Sequence, residues 1–496
     1  MFTFEKQKPY EAGVTSKSIQ SALKNLEKNQ IPMHSILIMR HDKLIFEKYY
    51  APYTENTLHR MFSITKTFTA LAISLLERDG KISYEDSITD YFPEYVNENT
   101  HHWIKETTIK NMLQMRTCHA AATYKVDMRS DWVESFFVVP PTHKPGTIFH
   151  YDTSAAHVLA ALVEKLTGQN LLDYLKDKAL NYIDFSSDSY VVADPFGVSI
   201  GGSGLMATPM DILKVLYVLS KGGQVICNDG KERSLFPSDF VAEATSKISD
   251  TIVTGPVLSE QQGYGMQIWQ NEMGGFVLYG MGGQLAISLP KQDMLIMTTA
   301  DTQAIAGGNQ TIYKAIYEQI LPYLDSKECQ DEAKDAEDKA YKELLSYADT
   351  LSLAPPRAEV FTFNTAAISY ATMDNNLSYS IDDNPQGFTK LRLVTNHLEK
   401  KGVLTLVRNN GNGYNICFGI DEMLPGVFPV YEESCYTGAT WLSPNVLYIR
   451  SHIVGECVGS VHFELYIEKD DVTVFMRKIE ETYFNEFSGH LYGNLQ

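Results

Sequence analysis

The chain has 496 residues, which is more than one hydrophobic core usually serves, so we expect at least two domains. Hydrophobic residues make up 44% of the chain, an ordinary share for a globular protein, and this excludes a mainly disordered chain. The formal net charge of −19 argues against nucleic acid or an anionic membrane surface as the main partner.

The lack of a visible targeting signal and the pattern of cysteines predict a cytoplasmic protein. The first residues contain neither the basic start nor the apolar core of a secretory signal, and no apolar run is long enough to span a bilayer. The six cysteines are scattered without C-x-x-C spacing, which predicts reduced thiols rather than disulfides or a zinc site. We therefore expect no metal and no membrane partner.

Helical and strand periodicities alternate over residues 1–325, which we predict to form the first domain. An early hairpin leads directly to a helix that begins at Ser63 and stops at Gly80. The other predicted helices lie at 15–29, 155–167, 209–220 and 309–321, and the predicted strands at 35–39, 43–47, 276–279, 285–289 and 294–299.

The composition changes after residue 325. Residues 326–356 begin with a stretch dense in Glu, Asp, Lys and Ala, which predicts a solvated helical linker between domains. From residue 357 to 496, short alternating apolar segments, the first of them Val360–Phe363, are separated by Asn, Gly and Asp turns. This pattern predicts a C-terminal all-β domain, either a barrel or a sandwich.

Ser63 and Lys66 form an S-x-x-K motif at the start of the predicted helix. Positions i and i+3 share a helix face, so the lysine amine can approach the serine hydroxyl and take its proton. The alternative is structural: Ser63 caps the helix and Lys66 is solvated. A second candidate proton carrier is Tyr151, at a predicted junction between a loop and a helix, although most tyrosines serve only packing.

Together these segments resemble the serine β-lactamase and penicillin-binding-protein superfamily, in its class C, DD-peptidase and family VIII esterase branch. Ser63 and Lys66 match the first motif, and the stretch from Pro145 to Tyr151 matches P-G-x-x-F-x-Y before the second. The turn at Met281, Gly282 and Gly283 corresponds to the third motif, K-T-G or H-x-G. The resemblance covers about residues 15–325, and residues 201–211 and 113–119 are similar to further segments of the family.

The resemblance implies an α+β fold, in which an antiparallel sheet is flanked by helices and joined to a helical subdomain. It also implies an acyl-enzyme formed on Ser63, proton transfer by Lys66 and Tyr151, and no cofactor. The oxyanion would lie between the backbone N–H groups of Ser63 and Gln284, next to Gly282 and Gly283. The C-terminal part is similar to lipocalin-like β-domains that are appended to some members.

Two motif positions depart from the family pattern. Thr153 replaces the asparagine of the second motif, and Met281 replaces the cation of the third, which helps to hold a substrate carboxylate in the family. We therefore predict a hydrolase of small ester, amide or peptide substrates with weak or absent β-lactamase activity. The alternative is a β-lactamase-fold protein with weak or no catalysis and a binding or regulatory role. An α/β-hydrolase is disfavoured because the sequence has no G-x-S-x-G elbow.

Overall fold

A computed structural model describes residues 1–329, 334–358, 369–480 and 484–496. The chain divides into two compact units, Met1–Thr350 and Leu351–Gln496. The boundary between them falls inside the segment 326–356 that the sequence predicts as a linker. The predicted strand Val360–Phe363 lies outside the described residues.

The first unit is built on a mostly antiparallel sheet. Seven of its described strands follow the order β1-β3-β2-β12-β11-β10-β9, and only the pairing of the edge strand β1 with β3 is parallel. The strands of this unit are β1 (Glu5–Lys6), β2 (Met33–Arg40), β3 (Lys43–Tyr49), β4 (His59–Arg60), β5 (Tyr190–Val191), β6 (Leu205–Ala207), β7 (Gln224–Ile226), β8 (Glu232–Ser234), β9 (Trp269–Gln270), β10 (Phe276–Gly280), β11 (Gln284–Leu289) and β12 (Met294–Ala300).

Helices pack on this sheet and form a separate helical layer. The central strands β2, β11 and β12 are buried along their whole length, which is the reason they are apolar without alternation. The helices are α1 (Ser16–Lys28), α2 (Ile64–Arg78), α3 (His102–Lys105), α4 (Ile109–Leu113), α5 (Trp132–Val138), α6 (Thr153–Thr167), α7 (Leu171–Lys178), α8 (Pro209–Ser220), α9 (Ser238–Ala244), α10 (Gly308–Gln319) and α11 (Lys334–Asp349). This arrangement confirms the predicted α+β architecture.

The charged segment after residue 325 differs from its prediction. The predicted helix exists as α11, but it belongs to the first unit and packs on α1 instead of forming a solvated connector. Its buried side chains are Glu337, Ala340, Leu344 and Ala348. The last three are four residues apart, so they form a narrow apolar stripe that the high charge of the segment conceals.

The second unit is all-β, as predicted. Nine of its described strands close into a barrel, β16-β15-β14-β13-β22-β21-β20-β19-β18, through a parallel pairing of β16 with β18, and β17 pairs with β18 as an extra strand. The strands are β13 (Asn375–Ile381), β14 (Phe388–Asn396), β15 (Lys401–Arg408), β16 (Gly413–Ile420), β17 (Met423–Phe428), β18 (Glu433–Ser443), β19 (Val446–Ile453), β20 (Gly459–Ile467), β21 (Asp471–Ile479) and β22 (Gly489–Leu495). Alternate side chains fill its apolar core.

Two further observations bear on the predictions made from composition. No helix within the described ranges is long and apolar enough to cross a membrane. All six cysteines are free thiols.

Candidate active site

Ser63 occupies the N-cap position of α2, but its hydroxyl makes no capping hydrogen bond. The hydroxyl N-caps Thr15 of α1 and Thr208 of α8, in contrast, each accept a hydrogen bond from their helix. The residue before Ser63, Phe62, has a φ of 47°, an uncommon conformation for a bulky side chain that occurs most often at functional sites. The hydroxyl of Ser63 is therefore presented to its surroundings instead of closing the helix end.

Lys66 lies one helical turn further along and is turned back toward this hydroxyl. Its Nζ is 3.0 Å from the Ser63 Oγ and 2.8 Å from the carbonyl oxygen of Gly202. The side chain is buried, with 1% of its surface exposed, so the alternative of a solvated lysine is wrong. The two hydrogen bonds fix the amine beside the serine.

Burial lowers the pKa of Lys66 to about 7, because removal from water disfavours the charged ammonium. The negative charge of Asp152 opposes this shift, and the positive charge of Lys125 adds to it. A large fraction of the amine is therefore neutral near pH 7. A neutral amine can accept a proton from the serine hydroxyl.

Tyr151 lies at the entrance to α6, as predicted from its place between a loop and a helix. The Nζ of Lys66 lies 4.7 Å from the centroid of its ring, which stacks on Trp269 at a centroid distance of 5.5 Å. Burial raises the pKa of the phenol, and the Ser63 hydroxyl acts in the opposite direction. Tyr151 is therefore protonated at neutral pH and can donate a proton within the cluster.

Asp152 and Thr153 begin α6 beside this cluster. Asp152 is the N-cap: it is fully buried, accepts hydrogen bonds from the Ser154 backbone (2.9 Å) and the Thr117 hydroxyl (3.0 Å), and burial raises its pKa to about 6. Asp152 is not among the site residues predicted from the sequence, but its charge acts on Lys66. Thr153 packs against Gly202, since a β-carbon on that glycine would lie 2.3 Å from the Thr153 Cγ2.

The third-motif turn joins β10 to β11. Gly282 and Gly283 have φ values of 83° and 98°, so both require the conformational freedom of glycine. The buried side chain of Gln284 holds the turn: its Nε2 donates to the Met281 carbonyl (2.6 Å), and its Oε1 accepts from the Ala300 N–H (3.0 Å). The predicted oxyanion role therefore concerns the backbone of Gln284 alone.

This turn lies next to the start of α2. A β-carbon on Gly280, the last residue of β10, would come within 2.5 Å of the Met61 carbonyl oxygen, two residues before Ser63. The side chain of Met281 is 39% exposed and carries no charge. The tertiary fold thus brings all three sequence motifs together, although they are separated by up to 220 residues.

Sequence reasoning missed three groups in this region. The Gly202 carbonyl holds Lys66, and Trp269 supports Tyr151. Glu260 accepts a hydrogen bond of 2.8 Å from the Tyr279 hydroxyl, and its charge adds to the effect of burial in raising the pKa values of Tyr279 and Tyr151. Gly202 lies in the family-like segment 201–211, but that pattern does not show that its carbonyl contacts Lys66, and Trp269 and Glu260 lie outside the segments that carry the resemblance.

Comparisons with known proteins agree with this geometry. A family model described as Beta-lactamase matches residues 19–319, more than half of the chain, and the chain belongs to this family. The resemblance inferred from the motifs is thereby confirmed.

Individual relatives are distant. Protein flp of Staphylococcus aureus (strain MW2) is 26% identical over 182 residues, which are 34% of this chain and 36% of flp, so the chain spans about a third of that relative. The 6-aminohexanoate-dimer hydrolase of Paenarthrobacter ureafaciens is 21% identical over 308 residues, 58% of this chain and 78% of that protein. The solved octameric penicillin-binding protein homologue from Pyrococcus abyssi is 15% identical with a TM-score of 0.45, covering 96% of this chain and 99% of its own.

Proposed function

We propose that the protein is a serine hydrolase that forms an acyl-enzyme on Ser63 and cleaves ester or amide bonds of small acyl or peptide substrates. The observation that carries the proposal is the 3.0 Å contact between the Ser63 Oγ and a buried lysine amine whose pKa is lowered to about 7. A serine hydroxyl needs such a neighbouring base to become nucleophilic. Membership of the Beta-lactamase family supports the same chemistry.

The mechanism begins when neutral Lys66 accepts the proton of Ser63 as the Ser63 Oγ attacks the substrate carbonyl carbon. The backbone N–H groups of Ser63 and Gln284 stabilise the oxyanion, and the glycines at 282 and 283 let the strand edge approach the substrate. Tyr151, protonated and next to Lys66, passes a proton to the departing alcohol or amine and regains one from the Lys66 ammonium. Neutral Lys66 then accepts a proton from the water that attacks the acyl-enzyme and returns it to the Ser63 Oγ as the acyl group leaves.

The substrate class follows from the two altered motif positions. Met281 and Thr153 provide neither a cation nor an amide, so strong recognition of a β-lactam carboxylate is not expected. Amide or ester substrates without this carboxylate fit better, and the match to a 6-aminohexanoate-dimer hydrolase supports amide cleavage. We expect no cofactor, metal, nucleic-acid or membrane partner.

Covalent labelling tests the nucleophile. A fluorophosphonate probe is incubated with the full-length protein, which is then digested and analysed by mass spectrometry. We expect a mass increment on the Ser63 peptide, abolished in Ser63→Ala and strongly slowed in Lys66→Ala. Absence of an adduct with any acylating probe would instead favour a binding or regulatory role.

A panel of substrates tests the proposed substrate class. The catalytic efficiency kcat/KM is measured for p-nitrophenyl esters, peptide amides and a cephalosporin. Esters or amides should be turned over faster than the cephalosporin. The opposite ranking would overturn the proposed substrate class while leaving the nucleophile in place.

A further inference from the structure

Glu260 is a carboxylate near the proposed catalytic groups. It ends a short turn of 3-10 helix, Leu258–Glu260, and in the described part of the chain its carboxylate forms no ion pair, so that burial and the Tyr279 hydroxyl act on its pKa. Its hydrogen-bonding partner is the neutral Tyr279 hydroxyl, at 2.8 Å. A partly buried carboxylate satisfied by only one neutral donor retains acceptor capacity for a ligand.

Aromatic rings connect Glu260 to the proposed catalytic centre. The ring of Trp269 lies 6.1 Å from that of Tyr279 and 5.5 Å from that of Tyr151. Tyr151 is in turn in contact with Lys66. A carboxylate combined with electron-rich ring faces is the chemistry that recognises an organic ammonium group.

The electrostatics of the region agree with a cationic ligand. Burial raises the pKa of Glu260, and the pKa of Tyr151 is raised first by its own burial and further by the charge of Glu260. The shift of Glu260 reflects a carboxylate held out of water, and an ammonium group bound beside it would offset this cost. At the third motif, where the family pattern has a cation, Met281 is neutral.

We propose that Glu260, with Tyr279 and Trp269, forms a subsite for a protonated amine of the substrate, so that the protein prefers aminoacyl esters or amides over neutral ones. The inference rests on the proposed hydrolase function and specifies its substrate class. Glu260 acts here as a specificity-determining residue and takes no part in bond making. Its carboxylate pairs with the substrate ammonium while the acyl carbon lies at Ser63.

The kinetic test uses p-nitrophenyl esters of ω-amino acids with increasing chain length and their N-acetylated counterparts, which lack the charge. The wild-type protein should favour the free amine by roughly ten- to hundred-fold in kcat/KM at the best chain length, the range expected for a charge-assisted hydrogen bond. Glu260→Gln retains an acceptor for Tyr279 but loses the charge. It should abolish the preference, so that the free-amine and N-acetylated esters are hydrolysed by this variant with similar kcat/KM.

The control is Glu98→Gln, which changes the net charge equally at an exposed position. It should leave the amine preference intact. Equal turnover of free-amine and N-acetylated esters at every chain length, in both the wild type and Glu260→Gln, would overturn the ammonium subsite while leaving the hydrolase function standing.

Binding without chemistry separates the two proposals. Calorimetric titration of the Ser63→Ala protein with hexylammonium chloride should show binding that is weakened at least about tenfold in Ser63→Ala/Glu260→Gln. This result would support the subsite even if no ester were hydrolysed and no probe labelled Ser63, in which case only the hydrolase proposal fails. No difference between the two proteins would overturn the subsite.

Discussion

Each unit of the protein buries basic side chains whose pKa is strongly lowered, and Lys66 in the first unit and His462 in the second differ in their partners. In the first unit, Lys66 contacts the hydroxyl of the partly buried Ser63 and the Gly202 carbonyl. In the second unit, His462 on β20 lies between two strand hydroxyls, with its Nδ1 2.5 Å from the Tyr448 Oη and its Nε2 2.8 Å from the Ser460 Oγ.

Burial is the main cause of both shifts, which bring the pKa of Lys66 to about 7 and that of His462 to about 3. Arg450 and Arg477 lower the pKa of His462 further, so this imidazole is neutral at every physiological pH and serves the barrel as a fixed hydrogen-bonding group. Lys66 instead changes its charge near neutrality beside a potential nucleophile. A perturbed pKa therefore marks a candidate site only when its neighbours can use the proton.

The strongest test of this contrast removes the amine of Lys66. Lys66→Met keeps the length of the side chain but cannot accept a proton, so kcat/KM should fall by roughly a thousandfold or more while the protein stays folded. The control is Lys214→Met, at another buried lysine that donates to a backbone carbonyl. That variant should lower stability and leave the rate nearly unchanged. Equal rate losses in both variants would contradict a special role for Lys66.

In the barrel, a substitution in the apolar core should lower the stability of the second unit. Phe463 on β20 is fully buried in the apolar core, and its ring lies 6.0 Å from that of Phe487. Phe463→Ala should lower the free energy of unfolding of the second unit by about 3–5 kcal/mol, because it leaves a cavity. Denaturant titration of the full chain measures this loss, and a change below about 1 kcal/mol would show that the core is loosely packed.

A substitution at Gly202 tests whether the side chains around Lys66 are tightly packed. A β-carbon there would lie 2.3 Å from the Thr153 Cγ2 and 3.5 Å from the Lys66 Nζ. Gly202→Ala should therefore cost about 1–3 kcal/mol of stability and also reduce kcat/KM by displacing the amine. Gly413→Ala in the barrel is the matched control, since its nearest contact would be Val407 at 3.9 Å. If the two variants behave alike, the space around Lys66 is not restrictive.

The smallest expected effect concerns the pH dependence. Activity should rise with pH through about 7 as Lys66 loses its proton. The charge of Asp152 holds the pKa of Lys66 up, so Asp152→Asn should move the midpoint of the kcat/KM profile to lower pH, by roughly one unit or less. An upward shift, or none, would show that Asp152 does not set the charge of Lys66.

Much of the fold could be predicted from local pattern. The helix α1, the hairpin of β2 and β3, and the strands β10 to β12 were predicted within about two residues of their observed bounds, because apolar periodicity directly reports which side chains are buried. The charged helix α11 was misassigned because three small or apolar residues suffice to pack it on α1, while its overall composition resembles a linker.

The residues of the candidate site also differ in whether the local sequence identifies them. Ser63, Lys66 and Tyr151 were identified from motifs, since their chemistry depends on fixed spacings and on a loop-to-helix junction. Gly202 and Glu260 have no such spacing, and their contacts form only when distant segments meet. The role of Asp152 depends on burial, which a turn-like local sequence does not reveal.

By itself, the sequence determined the helix that carries Ser63 and Lys66 on one face, because a 3.6-residue period places positions i and i+3 together in any environment. Only the tertiary structure decided that Lys66 is buried, that the Gly202 carbonyl holds it, and that Glu260 accepts a hydrogen bond from Tyr279 and forms no ion pair with another described residue. The physical reason is that pKa values and the pairing of charges depend on burial and on residues far away in the chain. Burial and these long-range contacts exist only after folding.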